Sequence, residues 1–228
     1  MSVVCFSMTA DLVVGTALVP VAALSLREVK HPRELMFALL PALFAAHQFL
    51  EVAVWLGLDG RVSPGAAELA MRAYLFIAWP LLPTYVPLAV MLLNPARRVR
   101  LRSAPFVAVG VVVSIYLTYV VLFNPVEVIR HSHGLEYDTA VSHPVVWAVL
   151  YVVAVIGAEL VSGHRAIIAF GVLNLVGLSL VGVYYFQEFA SLWCVFAAAA
   201  SILILVHMVR LRRLPDSYRL RGEPLLTP

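Results

Sequence analysis

The sequence predicts an all-α, polytopic membrane protein of seven transmembrane helices, with the N-terminus outside and the C-terminus cytoplasmic. Three observations carry that expectation. Of 228 residues, 62% are apolar and only 13% are charged, whereas a soluble domain carries about 25% charged residues. The mean hydropathy is +0.94, and seven apolar runs can be counted along the chain. Threading those runs through a bilayer places thirteen of the sixteen Lys and Arg on one side. The composition excludes a soluble enzyme, a disordered chain and a nucleic-acid-binding domain. Seven helices of about 20 residues each fill most of the length, which leaves short loops, a tail and no separate soluble domain.

The runs are residues 4–26, 35–58, 66–93, 105–123, 144–161, 167–186 and 190–209. The first lacks a preceding basic region and a clean cleavage site, so it reads as a retained helix and not a signal peptide. The third contains Pro80, Pro83 and Pro87. It is expected to be kinked or locally unwound, with neighbouring helices satisfying the backbone groups that the prolines free. The division is a bundle over residues 1–213 and a polar, Pro-bearing cytoplasmic tail over 214–228, expected to be disordered.

Orientation follows from the basic residues. Arg27, Lys30 and Arg33 lie between the first two runs, and Arg97, Arg98, Arg100 and Arg102 between the third and fourth. Arg165 lies between the fifth and sixth, and Arg210, Arg212, Arg213, Arg219 and Arg221 in the tail. The other side holds Arg61, Arg72 and Arg130. The positive-inside rule puts the larger group in the cytoplasm, which implies a multi-pass protein of the cell membrane. The long outer loop, residues 124–143, alternates partly between apolar and polar over 126–139, with a His-Gly step in the middle. A small hairpin capping the bundle and a solvated loop are equally consistent with it.

Ionisable residues inside a bilayer are costly and point to function. Asp11 lies in the outer part of the first run. In the second, His47, Glu51 and Trp55 are spaced i, i+4, i+8 and share a face, with Gln48 beside them. The two sets fall at similar depth. A His and a carboxylate one turn apart can share a proton and deliver it to a bound substrate; the alternative is a structural cluster of hydrogen bonds between helices. Aromatic residues gather on the same side: Tyr74, Trp79, Tyr116, Tyr119, Tyr185 and Trp193 are candidates to line an apolar cavity with Trp55, and the interfacial aromatic belt is the alternative for many of them. Glu68 and Arg72, at i, i+4, read as a surface ion pair, and Glu159 and His207 as structural.

Two cysteines, Cys5 and Cys194, open the first and last runs on the outer side. A disulfide between them, two inert thiols, and a soft-metal site completed by His131, His133 or His143 are the readings open to them. HExxH, Walker and CxxCH motifs are absent, and no Asp-rich repeat is available to hold magnesium diphosphate. No cofactor or metal is called for.

The Cys5-Phe6-Ser7 opening, the Ala46-His47-Gln48, Glu51 and Trp55 stretch, and Ser191-Leu192-Trp193-Cys194 together resemble an uncharacterised family of small bacterial seven-helix membrane proteins. That family usually begins Met-Cys-Phe-Ser; here Met1 to Val4 precede the cysteine. The helix count, the length and a buried acid in the second helix followed by aromatics are also similar, more faintly, to small integral-membrane terpene cyclases. That resemblance implies a general acid at Glu51. It would also imply an acid on the last helix, where the nearest is Glu188.

The functional expectation is a membrane-embedded enzyme acting on an apolar, lipid-like substrate by metal-independent acid catalysis, with isoprenoid cyclisation as its concrete form. Glu51 is the acid, His47 and Gln48 tune it, and Asp11 is a second acid or relay. Two other classes stay open: a proton-coupled small-molecule transporter or ligand sensor, which would want the same three ionisable residues, and a metal-binding or redox protein. Its partners are the lipid bilayer and an apolar small molecule, not nucleic acid.

Overall fold

The computed structural model describes residues 7–95, 97–131, 134–184, 196, 198 and 200–214. Within them the protein is mostly helical, and four helices are long and apolar enough to cross a membrane: Met8–Arg27, Pro32–Leu58, Pro64–Leu93 and Arg100–Phe123. Two shorter apolar helices, Pro144–Leu160 and Arg165–Leu180, follow.

Helix α1, Met8–Arg27, buries Asp11, Gly15, Leu18, Ala22 and Ser25 along one stripe. It packs against α3, Leu40–Leu58. Gly15 sets their separation, because a Cβ there would lie 3.2 Å from both Gln48 and Phe49. A short α2, Pro32–Ala38, precedes α3. It begins three residues before the expected start, because the Glu34 side chain accepts from the backbone N–H groups of Lys30 and His31 in a capping box. The α3 helix ends at Asp59, where Gly60 turns left-handed at φ 68°. There the Arg61 and Gly60 N–H groups return to the Leu56 and Gly57 carbonyls, the pairing of a Schellman motif.

The proline-rich rod has the expected irregularity. Helix α4, Pro64–Phe76, runs through one π-helical turn, Ile77–Leu81, into α5, Leu82–Leu93. In that turn the Leu82 N–H reaches back to Ile77, so the next donor should serve the Ala78 carbonyl. That residue is Pro83, which has no N–H. The Tyr151 hydroxyl fills the role, donating to the Ala78 carbonyl at 2.6 Å, and the Ser114 hydroxyl donates to that of Pro80. The Pro83 carbonyl faces Gly110.

Helix α6, Arg97–Phe123, starts eight residues earlier than expected. Pro105 suggests a helix start and the arginines before it suggest a loop. Arginine is a good helix former, however, and it carries the helix beyond the apolar segment. Strands β1, Val126–Arg130, and β2, Leu135–Thr139, then pair antiparallel, with Val126 opposite Thr139 and Arg130 opposite Leu135. Of the two readings of the outer loop, the hairpin is the one observed. Helices α7, Pro144–Leu160, and α8, Arg165–Tyr184, follow as expected.

The last expected helix is interrupted. Residues 196, 198 and 200 are helical, Ser201 forms a turn, and α9 runs Ile202–Arg212. Nothing in the apolar run signals the break, because Ser201 lies in an unbroken Ala-Ile-Leu context. Of the expected tail, 214–228, Leu214 packs on the core and so belongs with the bundle, while residues 215–228 lie outside the described residues.

The close approach of α5 and α6 yields a direct test. A Cβ on Gly110 would lie 1.9 Å from the Pro83 carbonyl oxygen, whereas one on Gly65 would meet nothing. Gly110→Ala is expected to destabilise the protein by ~1–3 kcal/mol or more through overpacking against backbone, while Gly65→Ala stays within ~0.5 kcal/mol of wild type. Thermal unfolding in mild detergent checks both, and equal melting temperatures would contradict the packing.

Candidate functional site

The sequence places Asp11, His47, Gln48, Glu51 and Trp55 at similar depth, and the structure brings them together. The α3 stripe Phe44, His47, Gln48, Glu51, Val54 and Trp55 faces inward, so its polar members lie where α1 and α4 close over it. Trp55 donates its indole N–H to Asp11 Oδ2 at 2.9 Å, one turn along α1 from the Gly15–Gln48 contact. The four polar residues are 0–1% exposed. Asp11 Oδ1, the His47 ring nitrogens and both ends of the Gln48 amide make no side-chain hydrogen bond among the described residues. A buried polar group without a partner costs ~1–3 kcal/mol, so the cluster holds hydrogen-bonding capacity that the described side chains do not use.

The cluster is roofed by rings. The Tyr74 ring stacks on His47 with centroids 3.9 Å apart, and Tyr137 stacks on Tyr74 at 4.7 Å. Tyr137 and Leu135 are the inward residues of β2, whereas Glu136 and Asp138 point away. The alternation expected from 126–139 therefore decides which side chains close the site. From β1, Arg130 lies over the Trp55 ring at 5.1 Å and pairs with Asp59 at 2.6 Å. A chain of contacts thus runs from Asp59 through Arg130 and Trp55 to Asp11. Tyr137 and Arg130 were not among the candidates drawn from the sequence; only the partial alternation of the loop hinted at the first, and nothing local signalled the second.

Other candidates lie elsewhere. Trp79 packs at the boundary between this cluster and the main core. Tyr116 stacks on Trp147 at 4.0 Å and bonds the Ser142 backbone, and Tyr119 is 59% exposed beside Phe123. Neither reaches the carboxylates. Glu68 and Arg72 form the expected exposed ion pair. Tyr185, Trp193, Cys5, Cys194 and His133 lie outside the described residues, so the disulfide and the outer-loop metal readings fall there too. A groove of about 560 Å³ runs between α2, α5 and α6, lined by Met36, Phe76, Pro80, Tyr85 and Ile115 among others. None of the acid candidates lines it.

A second polar group occupies the arginine-rich end. The ring nitrogen of His164 lies 3.1 Å from the Asn94 side-chain oxygen, and its ring meets that of His207 edge-on at 4.9 Å. The sequence scattered these residues over three segments. Burial holds the His164 pKa below its ordinary value of 6.5.

Residues 4–219 match the model of a family described as a family of unknown function, DUF6629, and the chain belongs to it. This agrees with the resemblance to an uncharacterised family; the description names no activity and bears on no terpene cyclase. No curated protein matches the chain.

Two outcomes are expected from this geometry. Trp55→Phe, which keeps the ring and removes the donor to Asp11, should lower stability by ~1–3 kcal/mol in denaturant titration, against ~0–1 kcal/mol for Asp59→Asn in the exposed pair. A loss for Trp55→Phe no larger than that for Asp59→Asn would count against the buried bond. Because the folded state binds a proton at His164 less readily than the unfolded chain does, its contribution falls as pH drops through about 6.5 and below. His164→Asn should flatten stability against pH in that window, and an unchanged slope would remove His164 as the cause.

Proposed function

We propose that this protein is a seven-helix protein of the cell membrane, N-terminus outside, that protonates an apolar, lipid-like substrate with Glu51 as the general acid. The observation that carries the reading is the convergence of Asp11, His47, Gln48 and Glu51 in one fully buried layer of the α1–α3–α4 contact, with amide and imidazole atoms left for a ligand to engage. The distribution of arginines supports the orientation, which puts the hairpin and the acid layer toward the outside.

In this reading the proton moves from the Glu51 carboxyl to an alkene or epoxide of the substrate, leaving a cation and a carboxylate. The cation rearranges or closes a ring and then loses a proton, which restores the acid. Gln48 and His47 hold Glu51 and the polar end of the substrate. Asp11, fixed by the Trp55 indole, is the second acid or the relay. Both faces of Tyr74 are taken, by His47 and Tyr137, so it helps the hairpin keep water out, and positive charge on the substrate falls to the Trp55 ring beside Asp11. Isoprenoid cyclisation is the concrete form, because an acid beside aromatic faces suits a carbocation route.

The test compares lipid extracts of cells expressing wild type, Glu51→Gln and Asp11→Asn by mass spectrometry, with expression matched. A product of wild-type cells should fall ~10²–10⁴-fold in Glu51→Gln; full conversion by that variant would end the proposal. The second reading, proton-coupled transport, is favoured by one observation: Glu159, in α7, is another buried carboxylate. It predicts solute uptake into proteoliposomes driven by a pH gradient and no change in the lipids.

A further inference from the structure

Helix α6 joins a set of unpaired cations to an apolar groove, and the acid chemistry at Glu51 uses neither. The first turns of α6 hold Arg97, Arg98, Arg100 and Arg102, and no Asp or Glu occurs in the sequence between Glu68 and Glu127. Arg97, Arg98 and Arg102 are exposed. Among the described residues, none of the four arginines forms an ion pair with a carboxylate.

Water can satisfy an exposed arginine, but the same face also bears apolar side chains. Arg97, Leu101, Ala108, Val111 and Ile115 recur at helical spacing and form one stripe. All five are exposed, Leu101 at 59% and Ile115 at 67%. The stripe therefore begins in cations and continues as exposed hydrocarbon. Neither water nor lipid tails alone suit both ends, whereas the boundary between headgroups and acyl chains does. The apolar span of α6 starts at Arg100, which puts the arginines at that boundary.

The stripe leads into the groove of about 560 Å³ between α2, α5 and α6. Val111 and Ile115 form its α6 wall, and Tyr85 and Leu88 belong to its α5 wall. Because α5 ends at Leu93 and α6 begins at Arg97, the Leu88 end of the groove is the one nearer the arginines. The hydroxyls of the groove are already engaged. Tyr85 donates to the Met36 carbonyl at 2.8 Å, Thr118 donates to that of Ser114 at 2.7 Å, and Thr84 and Ser114 share a bond at 2.7 Å. The groove thus offers an occupant apolar surface and not hydrogen bonds, which suits a hydrocarbon chain. From Leu101 to Ile115 the stripe rises about 21 Å at 1.5 Å per residue, more than the roughly 15 Å of hydrocarbon in one leaflet.

We propose that this face of α6 is a binding site for an anionic phospholipid. The headgroup phosphate lies among Arg97, Arg98 and Arg102, whose forked N–H donors match phosphate oxygens, and one acyl chain follows the stripe into the groove. The site rests on the membrane placement proposed above and is independent of the acid at Glu51.

The experiment is native mass spectrometry of the full chain in mild detergent, titrated with phosphatidylglycerol or with phosphatidylcholine of the same acyl chains. The first phosphatidylglycerol is expected to bind with a Kd lower by about tenfold or more. Arg97→Gln, Arg98→Gln and Arg102→Gln together should weaken it about a hundredfold, at about fivefold per arginine, and leave phosphatidylcholine unchanged. Ile115→Trp, which fills the groove from an exposed position, should weaken both lipids by about tenfold, the cost of keeping about two methylenes out of the groove. Equal affinity for the two lipids overturns the proposal, as does a preference for phosphatidylglycerol that survives the arginine substitutions. Full competition by glycerol phosphate, which has the headgroup charge and no tail, also overturns it, because the arginines would then hold a free anion. Alkaline carbonate extraction of cell membranes separates this failure from failure of the membrane placement. Release of the chain ends both, whereas retention without a lipid preference ends the site alone.

Discussion

A buried apolar helix has no water to satisfy a stray carbonyl, and Pro80, Pro83 and Pro87 each remove a donor from the α4–α5 rod. The rest of the bundle is arranged around mending that break. Pro83 has no N–H for the Ala78 carbonyl, so α7 supplies the Tyr151 hydroxyl; the Pro80 carbonyl takes the Ser114 hydroxyl from α6. Thr84 shares a 2.7 Å hydrogen bond with the same serine. The Tyr151 bond replaces a missing proline donor and the Ser114 bond adds a second tie, and both need a neighbouring helix at a fixed height and rotation, so the irregular turn sets the register of α6 and α7 against the rod. Gly110 allows that approach because any side chain would strike the Pro83 carbonyl.

The same rod connects the mended centre to the acid layer. Tyr74 lies in the last turn of α4, and its ring is held between His47 on one face and Tyr137 on the other. Stacking of this kind adds ~0.5–1.5 kcal/mol per pair beyond the area it buries. It also does something that area cannot, because the flat rings fix where the hairpin sits. The hairpin is short and would be marginal alone; seated on Tyr74, Leu75 and Val121, it becomes part of a second small core. The acid layer is thus closed by tertiary contacts and not by its own helix pair.

Polar groups are distributed unevenly in the bundle. The acid layer belongs to α1 and α3, which are adjacent along the chain and in space. Glu159, Asn174 and Ser201 are buried on α7, on α8 and just before α9. Between them, the core of Leu18, Phe44, Val86, Val113, Ile156 and Ile204 is apolar. Buried polar groups are costly to maintain, and in both halves of the bundle they lie beside apolar packing that offers them few partners.

Periodicity made the helices legible, and with them the shared face of His47, Glu51 and Trp55, because i, i+4 spacing within one helix needs no knowledge of the fold. Composition and the arginines gave the membrane reading for a similar reason: transfer free energy sums over residues wherever they pack. The kinked third run was also foreseeable, since proline lacks a donor in any context. What the sequence left open are features whose cause lies on another segment. It offered hairpin and loop equally, because Tyr137 gains its place only from Tyr74. It put the start of α6 at Pro105, where local signals favoured a cap over the helical arginines that precede it. It scattered Asn94, His164 and His207, because contacts between residues tens of positions apart leave no spacing to read. The chain by itself determined which residues cannot rest in water and which cannot rest in lipid. The tertiary structure decided which of the costly ones meet, because burial is a property of a position among neighbours, and a sequence lists only neighbours along the chain.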